Sequence, residues 1–233
     1  MLGLHRDSVV KVKTFVTVKQ LLALLRREYG IPEWKHNHAP ISVLVQTILS
    51  QNTSDINSRR AFESLLASFG SWENVADADI DAIEHAIRCG GLGRMKAKRI
   101  KEVLREIEWK RGKLELDFLS RLPLSEARDW LEQLPGVGVK TASCVLLFSL
   151  GMPALPVDTH ILRVSKRLGL INSSESAVKA HQLLEKLVPW QDVYQFHILM
   201  IEHGRTACQA RYPLCQSCVL KEICPSYTVS VAS

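Results

Sequence analysis

Two groups of residues in this 233-residue chain are of types that do chemistry: a lysine and an aspartate eighteen positions apart, and four cysteines crowded toward the C-terminus. Lys140 lies in Leu134-Pro135-Gly136-Val137-Gly138-Val139-Lys140-Thr141, a tight turn between two predicted helices. Gly136 and Gly138 let the backbone bend sharply and approach a phosphate with no Cβ in the way, while the open amides of the second helix face the anion. An ordinary helix connection with a solvated lysine would read much the same. The first turn of a helix is nevertheless the wrong end for a cation. The positive end of the dipole and any burial there both favour the neutral amine that a nucleophile must be.

Val157-Asp158-Thr159-His160 follows, with Asp158 placed to cap the next helix, the usual role of an aspartate at such a position. Capping and chemistry are compatible. A carboxylate fixed at a helix start beside the hairpin could face both Lys140 and a sugar carbon that becomes cationic. His160 could be a further site residue, although a packed or surface imidazole is the simpler reading.

Cys208, Cys215, Cys218 and Cys224 form the pattern Cys-x6-Cys-x2-Cys-x5-Cys within seventeen residues. Inside a cell the reducing environment disfavours disulfides, so this crowding asks for a metal. Four thiolates can hold a tetrahedral zinc or a [4Fe-4S] cluster, and the spacing alone does not divide the two. Cys89 and Cys144 have no cysteine near them in sequence and read as small packing residues.

The elements that must position these groups recur at helical spacing. Thr17 and Gln20 form a capping box before a helix that Gly30 and Pro32 end, and Pro40 suits the first turn of a helix through Leu49. The β-branched residues between 41 and 48 leave a buried strand open there. Further helices are predicted over 55–69, 79–88, 96–109, 125–134, 139–150, 159–168, 175–187 and 191–203. Gly70, Gly90, Gly91, Gly112, Gly169 and Gly204 fall at helix ends, where a left-handed residue closes a helix. The fold class is therefore all-α, with no 20 to 50 residue repeat and no long linker.

A net charge of +6 favours an anionic partner, and its distribution is uneven. Ten Lys or Arg against three Glu lie between Arg88 and Lys113, a run that is either a solvated helix face or a contact surface. Met1 to Lys19 mixes His5, Arg6, Asp7 and Lys11 among apolar residues, unlike a signal peptide. The apolar run 142–157 contains Gly151, Pro153 and Pro156 and is too short for a bilayer. A soluble intracellular protein is expected, with no membrane span and a frayed tail after Pro225.

Taken in order, the hairpin LPGVGVKTA, the VDTH segment, the Lys140 to Asp158 separation and the four-cysteine spacing resemble the endonuclease III family of helix-hairpin-helix DNA glycosylases, over about Leu21 to Cys224. The resemblance implies two helical lobes with a DNA-binding cleft between them. A six-helix barrel would span 35–152, an iron-sulfur lobe would combine 1–34 with 153–225, and 226–233 would be a flexible tail. It implies a [4Fe-4S] cluster on the four cysteines, clamping a loop whose Arg211 meets phosphate. Leu49-Ser50-Gln51-Asn52-Thr53-Ser54-Asp55 is similar to the family's gap-filling loop, with Gln51 or Asn52 entering the space left by an extruded nucleotide. Gly91-Leu92-Gly93 is similar to the loop that wedges the opposite strand, with Leu92 as the wedge. The blander readings are a core Leu92 and an Asn52 that caps the next helix.

The activity so implied is a bifunctional DNA glycosylase and abasic-site lyase. It would remove oxidised pyrimidines from double-stranded DNA and nick it by β-elimination, as a monomer in a prokaryotic cytoplasm or nucleoid. Two alternatives stay open: a mismatch glycosylase of the same fold that does not cut, and a non-catalytic DNA-binding module with a structural zinc. Lys140 argues against the first, since such relatives tend to lack the lysine.

Overall fold

The structure, a computed structural model, describes residues 16–34 and 39–227. The first fifteen residues and those after 227, with the expectations attached to them, lie outside the described residues. Within the described residues the secondary structure is eleven α-helices joined by loops and short 3₁₀ turns, with no strand.

Helix α1 (Val18–Tyr29) opens on the expected capping box. The Thr17 hydroxyl accepts from the Gln20 amide at 3.2 Å, the Gln20 side chain accepts from the Thr17 amide, and Gly30 ends the helix. Helix α2 (Pro40–Ser50) resolves the ambiguity of the β-branched run. It is buried on nearly all sides, so it needs apolar residues at almost every position. Ser54 caps α3 (Asp55–Phe69) by accepting from Asn57. Helix α4 (Trp72–Asp77) is absent from the sequence expectation because six residues are too few to establish a period, although Ser71 caps it. Then follow α5 (Ile80–Ile87), α6 (Gly93–Arg111), α7 (Leu124–Glu132), α8 (Val139–Leu150), α9 (Thr159–Arg167), α10 (Ala177–Leu187) and α11 (Val193–Thr206).

Two expectations about glycine need correction. Gly204 does not close a helix; it sits inside α11, where a Cβ would stand 2.9 Å from the His160 Cβ. Its smallness lets α9 approach α11. Gly90 likewise has no positive φ, and a Cβ there would lie 3.1 Å from that of Ala61.

Apolar side chains segregate into two cores. One gathers residues of α2 to α8, including Ile48, Leu65, Ile100, Leu104 and Val145. The other joins α1 to α9, α10 and α11 through Leu22, Val164, Leu184 and Phe196. Each buried leucine or phenylalanine contributes about 1.5–3 kcal/mol. Helix α8 belongs to both, since Val145 and Leu146 enter the first core and Leu147 the second.

Polar bonds fasten the same seam. The Trp34 indole donates to the Leu147 carbonyl at 2.9 Å. Arg128 on α7 donates to Glu185 on α10 at 2.6 Å, and the same carboxylate oxygen accepts from the Leu155 amide at 2.8 Å. The Glu185 side chain is 17% exposed. Deleting one member of so sheltered a pair leaves the other charge uncompensated. Glu185→Ala is expected to destabilise the protein by about 2–3 kcal/mol in chemical denaturation, and Glu185→Gln, which keeps an acceptor for Leu155, by less. Equal stability of all three proteins would contradict this account of the seam.

Candidate active site

Between α8 and α9 the chain forms no helix. The Met152 and Ala154 amides bond the Leu146 and Met152 carbonyls, and side chains take polar groups of the residues that follow. His181 on α10 donates from Nδ1 to the Leu155 carbonyl at 3.0 Å, His197 on α11 does the same to Pro156 at 2.9 Å, and Glu185 holds the Leu155 amide. This pinned segment delivers Asp158 to the start of α9. There Oδ1 accepts from the Ile161 amide at 2.8 Å, the expected cap, and leaves the second carboxylate oxygen unused by the cap.

Lys140 stands half-buried in the first turn of α8, as its position implied. Two buried groups register both members of the pair. His197 feels the negative charge of Asp158 and the positive charges of Lys140 and Arg205, and the Cys144 thiol feels Lys140 and Asp158. The Lys140 and Asp158 charges therefore both act on the buried groups of α8 and α11. Burial dominates the titration of both reporters. It pulls His197 down to about 4 and pushes the Cys144 thiol up.

The hairpin is anchored by buried Leu134 and Val137, with the Val137 amide bonded to the Leu134 carbonyl at 3.1 Å. Gly136 has φ 71° and faces Arg99: a Cβ would lie 2.4 Å from Arg99 Nε. Gly138 caps α8 in an extended conformation, and a Cβ there would meet nothing within 4 Å. The backbone at Gly138 is thus open to an approaching group. Beside the site, a cavity of about 670 Å³ lies between α2, α3 and α8, lined by Gln46, Thr47, Ser50 and Cys144 among others. Asp55, also on its wall, is bridged by Arg205 of α11 at 2.6 Å.

Among the described residues, three other than glycine have left-handed backbone: Asn52 and Leu92, for which the sequence suggested a contact, and Tyr212, which adjoins the suggested Arg211. Asn52 (φ 52°) is exposed, while neighbouring Gln51 is held back because its Oε1 accepts from Arg99 at 2.8 Å. Leu92 (φ 51°) is 52% exposed, so it is no core residue, and Ser54 rather than Asn52 caps α3. Tyr212 (φ 53°) is 89% exposed beside exposed Arg211. Sequence reasoning missed Tyr212, since nothing local in Arg211-Tyr212-Pro213 announces a left-handed residue. It also missed His197, whose proximity to the lysine is a product of tertiary packing, whereas Cys144, one turn from Lys140 on α8, is the buried packing residue that was expected.

His160 packs against Gly204 with its Nδ1 3.1 Å from Arg163. The basic run is largely engaged within the protein. Arg94 pairs with Asp81 and Glu84, Lys98 with Glu102, Arg105 with Asp77 and Glu108, Lys110 with Glu106 and Lys113 with Glu115. Arg111 lies 3.8 Å over the Phe118 ring. Its sequence excess is therefore not a continuous stripe of uncommitted charge.

Cys208, Cys215, Cys218 and Cys224 all line one cavity of about 120 Å³, together with Arg167 and His203. N–H groups point at the sulfurs: Arg167 Nη1 lies 3.3 Å from Cys208 Sγ and the Leu220 amide 3.4 Å from Cys218 Sγ. Burial pushes the Cys218 and Cys224 thiols up, and the other cysteines add to the shift. Among the described residues no three such side chains converge closely enough to hold a single ion.

The HhH-GPD superfamily of base excision DNA repair proteins matches residues 45–190. An Arabidopsis thaliana relative that bears the name of a DNA glycosylase is 41% identical over 162 residues, which are 70% of this chain and 55% of that one. The chain thus spans just over half of that relative's length. Endonuclease III of Sulfolobus acidocaldarius is 34% identical over 218 residues, 89% of this chain and 95% of the other. Among solved structures, a trapped endonuclease III-DNA covalent intermediate superposes with a TM-score of 0.79 at 30% identity, covering 93% of this chain and 99% of that one.

The buried His197 has a pH consequence. Its folded value of about 4 lies below the ordinary 6.5, so the unfolded chain takes up a proton first as pH falls. Stability is fully present above pH 6.5 and is lost progressively toward pH 4, by on the order of 3 kcal/mol from this residue. His197→Asn, which retains a donor for Pro156 but does not titrate, is expected to show a shallower loss across that window in pH-dependent denaturation. Identical slopes would remove His197 from the account.

Proposed function

The chain belongs to the endonuclease III family of HhH-GPD base excision DNA repair proteins, and from that membership we propose that Lys140 and Asp158 release a damaged base and cut the strand at the same sugar. It is a DNA glycosylase and abasic-site lyase of base excision repair. The residue assignment is supported by the placement of Lys140 in the first turn of α8 and of Asp158 at the cap of α9, and by the action of both charges on His197 and Cys144.

A base inside a duplex is shielded by stacking, so the nucleotide must be turned out of the helix. Gly136, Gly138 and the first amides of α8 hold the phosphate beside it. Asn52, exposed on its turn, fills the vacated space; Gln51, bonded to Arg99, stays behind to shape the loop. Leu92 wedges the opposite strand, and Arg211 with Tyr212 meets the backbone further along. The neutral Lys140 amine attacks C1′, and the glycosidic bond breaks with its electron pair leaving on the base. Asp158 accepts the proton that the amine sheds and favours positive charge on the sugar. The C1′–O4′ bond then opens, with O4′ taking up a proton, to give the imine, which loses a proton from C2′ as the C3′–O bond breaks and expels the phosphate. Oxidised pyrimidines and abasic sites are the proposed substrates, acted on by a monomer. The polar wall of Gln46, Thr47 and Ser50 suits a base that has gained hydroxyl groups.

Cys208, Cys215, Cys218 and Cys224 are proposed to hold a [4Fe-4S] cluster. The cavity they line and the N–H groups aimed at their sulfurs support this. When bound, it would serve as a structural cross-link for the loop that presents Arg211 and Tyr212.

Lys140→Gln is expected to abolish borohydride trapping on an abasic duplex while sparing DNA binding; a mutant that traps fully would overturn the assignment. Asp158→Asn keeps a capping side chain and is expected to lose roughly 10²-fold or more in turnover. Unchanged turnover would make it a cap only. Protein purified without oxygen is expected to be brown, with iron and acid-labile sulfide in equal amounts. Colourless protein carrying one zinc would replace the cluster assignment.

A further inference from the structure

The turns that bear Asn52 and Leu92 are joined beneath the surface by one lysine. Lys96, in the first turns of α6, is 1% exposed. Its ammonium donates to the Leu49 carbonyl at 2.7 Å, to the Thr53 hydroxyl at 2.7 Å and to the Gly90 carbonyl at 2.9 Å. Three donors thus meet three acceptors, and none is a carboxylate. Burial lowers this ammonium from its ordinary value, with no neighbouring charge acting to restore it. Packing alone does not call for such an ion, since a methionine would fill the same space without the desolvation cost.

What the cation does, and an apolar side chain cannot, is draw polar groups of two separate turns onto one atom. Leu49 belongs to the last turn of α2, whose carbonyls lack helical partners, and Gly90 closes the 3₁₀ turn just before Leu92. The Thr53 hydroxyl, besides accepting from Lys96, donates to the Gly90 carbonyl. Asn52 adjoins Thr53 and Leu92 lies two residues past Gly90. Both hold a left-handed backbone, which an asparagine tolerates but a leucine adopts only with support from the surrounding structure. Arg99, one turn further along α6, repeats the device by bonding Gln51 while lying against Gly136 of the hairpin.

We propose that Lys96 is a positioning residue that locks the Asn52 and Leu92 turns at one separation, so that gap filling and opposite-strand wedging happen as a single rigid insertion. It rests on the reading of these two turns as probes of the base stack. The test uses Lys96→Met and Thr53→Val in the full chain. The DNA is a duplex carrying tetrahydrofuran, an abasic analogue that cannot form an imine, opposite 2-aminopurine. Fluorescence is read at full occupancy, established by anisotropy, and the thermal unfolding of each free protein is measured alongside.

Wild-type protein is expected to raise the fluorescence by unstacking the 2-aminopurine. Each folded variant is expected to give less than about half that rise, because its turns populate separations that do not enter the stack together. Should Lys96→Met not fold, Thr53→Val decides, since it keeps the lysine and the side-chain volume and removes one acceptor. A wild-type rise in a folded variant overturns the proposal. If both variants unfold, Lys96 is a core fastener and the positioning role is likewise overturned. No rise with wild-type protein overturns instead the assignment of the two turns as probes.

Discussion

The site depends on how the extended segment ahead of α9 is held. A chain that leaves a helix must satisfy its amides and carbonyls some other way when it runs through the interior. Here His181, His197 and Glu185 supply the missing partners, so the backbone from Leu155 to Asp158 is set by side chains of α10 and α11. Because those helices belong to the second core, the position of Asp158 relative to α8 is set by packing well away from the reacting atoms. Burial keeps both imidazoles biased toward the uncharged form, which avoids an additional buried cation near Lys140.

A second constraint runs through α6. The turn after α2, the turn before α6 and the hairpin before α8 are far apart in sequence, yet side chains of α6 reach all three. The helix that looks in sequence like a charged surface element is thus partly an internal brace. Its outward cations mostly answer carboxylates of α4 to α6 and contribute little individually, as exposed pairs do.

Much of the fold was legible because its signals are local. Thr17 with Gln20, Pro40, Ser54, Gly70 and Asp158 are caps or starts whose chemistry acts within one turn, and the boundaries they imply agree closely with those observed. Lys140, Asp158 and the cysteines stood out because their types and spacing are unusual. What stayed hidden depends on distance in the chain. Lys96 is one lysine among many in a basic run, and only its three acceptors distinguish it. The bond that holds Gln51 comes from Arg99, forty-eight residues away. Gly204 resembled a terminator because a glycine reads alike whether it relieves backbone strain or makes room for His160.

Helix α8 contributes side chains to both hydrophobic cores while carrying Lys140 at its tip. A hinge there would part side chains packed in both cores at once, so on the function proposed above the bending falls to the nucleic acid rather than to the protein. On that proposal, sites where stacking is already weak yield at least cost, before any atom of the lesion is touched.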